Sequence, residues 1–216
     1  MKLFLDTIDL QSIEHWRKLE IIEGVTTNPT TLAKAKDPLE HLKKIVSIMS
    51  PYDVSIQLTS QDLDAQLKEA EHYREIGKDS ADNVVIKVPG LPNNLFLAQK
   101  LKNLGFRINI TLVFTPMQAA LYAKTGADYV SQFVGRMYDH NLDGLATLKQ
   151  TITAVRAIDT KCQVLAASIR NQEQLIESIN LGADVVTVSP SVLKESLESP
   201  LTTEGYEKFL ADWKAK

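Results

Sequence analysis

Lys87 stands in the run Asn83-Val-Val-Ile-Lys-Val-Pro89, among β-branched neighbours. The run alternates like a strand, which puts Lys87 on the same face as Val85. In a parallel sheet or barrel both faces of a strand are buried. A lysine there carries a desolvation cost unless it is paired or neutral. Burial lowers a lysine's pKa, and a neutral amine attacks carbonyl carbons. The chemistry on offer is imine formation with an aldehyde or ketone. The plain alternative is a lysine whose stem reaches a rim and does nothing more.

The elements around Lys87 decide which reading holds. Eight short runs rich in Val, Ile and Thr are bounded by turn residues and read as strands: Lys2–Leu5, Gly24–Thr27, Val54–Leu58, Val84–Val88, Ile108–Leu112, Tyr129–Phe133, Val164–Ala167 and Val185–Val188. Amphipathic helical patterns lie between them. Gln61–Ile76 carries Leu63, Leu67, Ala70 and Ile76 near helical spacing, and Leu95–Leu104 stops at Gly105. Pro116–Lys124 opens with Thr115 as cap, Leu142–Ile158 is long, and Gln172–Asn180 ends at Leu181-Gly182. Thr202–Ala215 is a final helix carrying Tyr206, Phe209, Leu210 and Trp213. The stretches 34–38 and 90–94 read as loops or helix starts. Alternation at this spacing predicts βαβ units and a parallel sheet. Eight units with no visible second domain favour a single-domain (β/α)8 TIM barrel with an extra C-terminal helix over 1–216. The competing open sheet lacks a G-x-G-x-x-G after any strand.

In such barrels chemistry sits at the C-terminal strand ends. Asp6 closes the first strand; Thr26, Thr27 and Asn28 close the second; Gln57 nearly closes the third and Lys87 the fourth. Asn109 and Thr111 lie on the fifth, Ser131, Phe133 and Arg136 on or after the sixth, and Ser168 and Arg170 follow the seventh. The eighth ends apolar, then gives Ser189-Pro190-Ser191. Core packing alone does not call for polar residues at so many strand ends. Two arginines beside a serine, Arg136 and Arg170 with Ser168, offer forked donors suited to a phosphate. A helix opening near Asn171 would add backbone N–H groups.

Composition narrows the field. The 216 residues are 44% hydrophobic and 24% charged, with a net charge of -3. There is no basic excess for nucleic acid and no long run of one sign. One cysteine, Cys162, rules out an internal disulfide and fits a reducing cytosol. The opening MKLFLDTIDL is broken by Asp6 and Asp9, too short for a signal core or a membrane span. The expectation is a cytoplasmic protein without membrane or nucleic-acid partners. His15, His41, His72 and His140 are scattered, so no metal is expected.

Six motifs, in order and each at a strand end, carry a resemblance: Leu3-Phe-Leu-Asp6, Gly24-Val-Thr-Thr-Asn-Pro29, Val85-Ile-Lys-Val-Pro89, Asn109-Ile-Thr-Leu-Val-Phe114, Phe133-Val-Gly-Arg136 and Ala166-Ala-Ser-Ile-Arg170. With them the chain resembles the transaldolase family over nearly its whole length. It is similar in particular to the small subfamily of short transaldolases and fructose-6-phosphate aldolases. The resemblance implies a Schiff base on Lys87, with Asp6 moving the proton of a substrate hydroxyl during carbon–carbon cleavage. It implies that Asn28 binds substrate hydroxyls and that Thr26 and Asn109 line the site. Thr111 would help hold a catalytic water, and Arg136, Ser168 and Arg170 a phosphate. For Asp6 the bland reading is a cap or turn residue. Asn28 could serve as a helix N-cap as well. The substrates implied are sugar phosphates. No cofactor is implied, since the lysine itself activates the carbonyl. Small members of the family form homo-oligomers, pentamers that stack to decamers. The final helix would pack on its own barrel or on a neighbour.

The pattern is mixed at two positions. Transaldolases carry a glutamate on strand three; here Gln57 stands as in the aldolases. A glutamine orients a water but does not take its proton at neutral pH. Phe133, in contrast, resembles transaldolases where the aldolases have tyrosine, and Ser131 with Asn109 and Thr111 reads the same way. The expectation is a transaldolase, with an aldolase releasing free dihydroxyacetone as the alternative. A non-catalytic sugar-phosphate binder on the same scaffold would lack Lys87 or Asp6, and both are present.

Overall fold

A computed structural model describes residues 1–80, 82–158 and 161–215. In chain order the elements are β1 (Lys2–Asp6), α1 (Leu10–Lys18), β2 (Gly24–Thr26), α2 (Pro29–Leu32), α3 (Pro38–Met49), β3 (Asp53–Gln57) and α4 (Leu63–Gly77). They continue with β4 (Val84–Pro89), α5 (Asn94–Asn103), β5 (Ile108–Val113), α6 (Pro116–Ala123), β6 (Tyr129–Phe133), α7 (Val134–Asp139) and α8 (Gly144–Ala157). The last are β7 (Gln163–Ile169), α9 (Gln172–Asn180), β8 (Val185–Val188), α10 (Pro190–Glu195) and α11 (Pro200–Lys214). The strands form a closed parallel barrel in sequence order, with β8 pairing back onto β1. This is the (β/α)8 barrel expected from the alternation.

The helices start where the side chains supply caps. Thr115 and Gln118 form a reciprocal capping box at α6, with Pro116 as the first helical residue. Asp37 caps α3 just before Pro38, so the stretch 34–38 is the approach to a helix. Gly105 adopts φ +81 after α5, the left-handed turn that a helix end favours. The helices α1, α2, α3, α7 and α10 were not among the predicted helical patterns, although Asn28 was read as a possible cap for α2. Four of them are short, and α3 lay hidden behind its proline.

Two apolar layers hold the barrel. The outward faces of the strands pack against the helices in one large buried cluster that includes Ile56, Ile86, Val88 and Ile110. Inside, a smaller cluster gathers Phe4, Val85, Tyr129, Leu165 and Val185. Val85 in that cluster fixes Lys87, two residues on, as inward-facing. Gly24 is glycine because the Phe4 ring lies where a side chain would be: a Cβ would come within 2.5 Å of it.

The N-terminal end of the barrel is closed by ions. Arg107 donates to both carboxylate oxygens of Asp53 at 2.5 and 2.6 Å, and the Tyr129 hydroxyl donates to Asp53 Oδ2 at 2.5 Å. Lys2 Nζ reaches the Tyr129 hydroxyl at 3.5 Å.

Helix α11 stands apart from this packing. Among its described residues none is buried, and Tyr206, Phe209 and Trp213 are 62, 73 and 74% exposed. Of the two packings expected, on its own barrel or on a neighbour, the first buries none of its described residues. Its apolar side chains do not enter this chain's core.

Candidate active site

The C-terminal strand ends open into a cavity of about 630 Å³. Ten of the residues expected at a site border it: Asp6, Thr26, Asn28, Gln57, Lys87, Ser131, Phe133, Arg136, Ser168 and Arg170. They come from β1, β2, β3, β4, β6, β7 and the segments that follow, so barrel closure alone brings them together. Asn109 and Thr111 do not border the cavity. Asn109 is fully buried, donating to Ser55 Oγ at 3.2 Å and accepting from Ser131 Oγ at 2.7 Å. Thr111 is also fully buried, and its hydroxyl has no hydrogen-bond partner among the described residues.

Lys87 is 5% exposed, and its Nζ donates to the Thr27 carbonyl oxygen at 2.7 Å. Burial pushes the amine down to about 8, against the pull of the Asp6 charge. Gln57 is its register partner on β3 and Asn109 its partner on β5. The snorkelling alternative does not describe this lysine, whose head is bonded inside the barrel.

Asp6 ends β1 and is no cap. That task falls to Asp9, whose Oδ2 accepts the Ser12 N–H at 2.9 Å. Burial raises the Asp6 carboxyl above the ordinary carboxylate value. The Lys87 charge, the Thr26 hydroxyl, the Arg170 charge and the Asn28 side chain oppose that rise. Asn28 both borders the cavity and caps α2, its Oδ1 accepting the Thr31 N–H at 3.0 Å. Thr26 Oγ1 donates to Asp6 Oδ1 at 3.3 Å and lies 2.8 Å from Thr187 Oγ1.

The two arginines hold to different supports. The Arg136 guanidinium lies 5.1 Å from the centre of the Phe133 ring. Arg170 Nη2 donates to Asp139 Oδ2 at 3.0 Å. Between them Gly135 has no room for a side chain. A Cβ would sit 1.9 Å from the Ser168 carbonyl oxygen and 2.6 Å from Arg170 Cγ. Ser168 itself adopts φ +61 where the β7–β8 register shifts, and Leu112 adopts φ +57 where the β5–β6 register shifts. Such irregularities re-aim side chains at barrel rims, and left-handed backbone costs about 1–3 kcal/mol per residue. Both residues border the cavity. The opening of α9 is organised by its own side chains. Asn171 Oδ1 accepts the Gln174 N–H and Gln174 Oε1 accepts the Arg170 N–H, each at 2.9 Å.

Several bordering residues had been given no site role. Thr187 was hidden in a strand that reads as apolar. Ser189 and Ser191, with oxygens 2.9 Å apart, stand directly after β8, and their position there was the available signal. Thr30 and Leu112 gave no comparable sign. Among the described residues no group of three or more His, Cys, Asp or Glu is arranged to hold a metal, and no helix is long and apolar enough to cross a membrane.

Residues 3–216 match the family model described as Transaldolase/Fructose-6-phosphate aldolase. A probable transaldolase of Sulfurihydrogenibium sp. (strain YO3AOP1) is 40% identical over 216 residues, covering 100% of this chain and 97% of that protein. A probable transaldolase of Nitrosopumilus maritimus (strain SCM1) is also 40% identical, over 99% of this chain and 95% of its own. Among solved structures, thiamine phosphate pyrophosphorylase from Pyrococcus furiosus matches with a TM-score of 0.55 over 87% of this chain and 85% of that one. At 16% identity that likeness is one of fold alone. With the family model matched from residue 3 to residue 216, the chain belongs to the transaldolase/fructose-6-phosphate aldolase family.

Proposed function

We propose that this protein is a transaldolase that moves a dihydroxyacetone unit from a ketose phosphate, such as fructose 6-phosphate or sedoheptulose 7-phosphate, to an aldose phosphate through a Schiff base on Lys87. The observation that carries the reading is a buried amine, lowered to about 8, in one cavity with a carboxyl whose proton affinity burial raises. An amine is a nucleophile only in its neutral form, and a value near 8 makes that form accessible at neutral pH.

Lys87 adds to the C2 carbonyl of the ketose. The carbinolamine loses water to give an iminium. Asp6 accepts the proton of the C4 hydroxyl, the C3–C4 bond breaks, and its electron pair flows into the iminium as an enamine. The aldehyde fragment leaves while three carbons stay on Lys87. The enamine carbon then attacks the aldehyde of the acceptor, Asp6 returns its proton to the new hydroxyl, and water releases the product ketose. Asn28 and Ser131 would bind sugar hydroxyls. Arg136, Arg170 and Ser168 would hold the phosphate of donor and acceptor in turn. Asn109 would hold Ser131 in place from below. The unpartnered Thr111 hydroxyl suits the binding of a buried water.

One residue favours a second reading, an aldolase that releases free dihydroxyacetone. Gln57, the neighbour of Lys87 across the β3–β4 register, offers no carboxylate. Phe133 favours transfer, since its ring adds no hydroxyl to activate water. The test is product analysis with fructose 6-phosphate, with and without erythrose 4-phosphate. Sedoheptulose 7-phosphate formed only with the acceptor supports transaldolase; free dihydroxyacetone without it supports the aldolase. Wild-type turnover by Lys87→Met would sink both.

The same reading includes a homo-oligomer, a pentamer or decamer as in small relatives. The exposed aromatic side chains of α11 support it, because one barrel leaves them without a core to enter.

A further inference from the structure

Thr187 is buried, 3% exposed, on the inner face of β8, and it borders the cavity. Its hydroxyl has one partner among the described residues, the Thr26 hydroxyl at 2.8 Å. Thr26 in turn reaches Asp6 Oδ1 at 3.3 Å. Two hydroxyls bring two protons to this chain of three groups. With Asp6 ionised, one order uses both protons: Thr187 donates to Thr26, and Thr26 donates to Asp6. The reverse order leaves the Thr187 proton without an acceptor and Asp6 without its hydroxyl donor. A buried unpaired donor is costly, so the first order is the one the geometry selects.

We infer that Thr187 is a positioning residue for the proton-transfer carboxylate: it fixes the direction of the Thr26 hydroxyl and so holds Asp6 in its ionised, proton-accepting form. The inference rests on the proposed role of Asp6. Hydrogen bonds in series strengthen one another, so Thr187 acts on Asp6 without touching it. When Asp6 gains a proton the chain can reverse, Asp6 donating to Thr26 and Thr26 to Thr187. The reversal needs only hydroxyl rotation, which suits a group that must accept and return a proton within one turnover. The 3.3 Å bond is long for O–H···O. Bonds at such sites often tighten once substrate is present.

The other groups acting on Asp6 are the charges of Lys87 and Arg170 and the Thr26 and Asn28 side chains. Of these only Thr26 is hydrogen-bonded to Thr187, so a change at position 187 reaches Asp6 through that hydroxyl. The experiment is the pH dependence of kcat for cleavage of fructose 6-phosphate, in which Lys87 is already bound to substrate and its own titration drops out, in wild type, Thr187→Val, Thr187→Ser and Asp6→Asn, each confirmed folded by its melting curve. Valine keeps the shape and removes the hydroxyl; serine keeps the hydroxyl. Weakened support for the carboxylate raises the pH at which Asp6 loses its proton. The acidic limb of the Thr187→Val profile should then move up by roughly half a pH unit. Thr187→Ser should keep the wild-type limb, and borohydride trapping of substrate on Lys87 should persist in both. An acidic limb unchanged in Thr187→Val, or moved equally in Thr187→Ser, overturns the proposal while an inactive Asp6→Asn leaves the role of Asp6 standing. Wild-type turnover by Asp6→Asn removes that role, and the proposal with it.

Discussion

Lys87 and Asp6 border one cavity from β4 and β1, and burial moves their proton affinities toward each other: the amine falls to about 8 while the carboxyl rises above its ordinary value. Trapping of a ketose on Lys87 by borohydride should follow the neutral amine. Its initial rate should climb with pH and level off above about 8. A midpoint near the ordinary lysine value of 10.5 would show that burial does not set this amine's reactivity.

The same burial costs stability. A lysine whose folded pKa lies below its unfolded value binds fewer protons folded than unfolded between the two. Stability therefore rises as pH climbs from about 8 to 10.5, and the penalty is fully present below about 8. The drop from 10.5 to about 8 corresponds to about 3 kcal/mol. Lys87→Met should abolish trapping yet stabilise the fold at pH 7 by roughly 1–2 kcal/mol. The gain is smaller than the full penalty because Asp6 loses its countercharge and the Thr27 carbonyl its donor. Denaturant unfolding at pH 7 and pH 10 should show the gap between variant and wild type narrowing at the higher pH.

Gln57→Glu places a carboxylate at the register partner of Lys87. A neighbouring negative charge favours the ammonium form. The trapping midpoint should move up from the wild-type value, and the partition of the covalent intermediate should change, since a carboxylate can take a proton from water. Parallel measurement of the trapping profile and the dihydroxyacetone-to-sedoheptulose ratio separates the two effects. An unmoved midpoint would mean that the two side chains do not sense each other.

Gly135 is where α7 packs against β7 beside the arginine pair. Gly135→Ala drives a methyl group into the Ser168 carbonyl and the Arg170 side chain. The expected cost is about 1–3 kcal/mol of stability, from overpacking against backbone. KM for phosphorylated substrates should rise, because α7 and β7 must separate. Asp139→Asn, which weakens only the exposed clasp on Arg170, should raise KM a few-fold. Arg170→Met should raise it about 10- to 100-fold, as expected for lost bonds to a charged group. Wild-type KM values in all three would place the phosphate elsewhere.

Removal of α11 should leave a folded barrel, since none of its described residues is buried. The melting temperature should fall only as far as the lost association lowers it, while light scattering should report fewer subunits per particle. An unchanged number of subunits would show that they meet through other surfaces.

Much of this was legible because barrels translate sequence order directly into space. The strand rule of two put Lys87 beside Val85 on the inner face, and barrel closure then brought Asp6 to the same cavity although they are far apart in sequence. What stayed hidden has local causes. Thr187 reads as one polar residue in an apolar strand, and only the barrel's curvature brings its hydroxyl to Thr26. Ser168 belongs to β7 and not to the loop after it, because a register shift with left-handed backbone lengthens the strand. No residue type announces such a shift. Asn109 lies between Ser55 and Ser131 and does not border the cavity, a matter of depth that periodicity does not resolve.

The ionic floor of Asp53, Arg107, Tyr129 and Lys2 makes the barrel a vessel open at one end. In the reaction proposed, donor, leaving aldehyde and acceptor would share a single doorway. A ping-pong rhythm would come from the covalent hold of Lys87 in that reaction, with the first aldehyde leaving and the acceptor arriving by the same mouth.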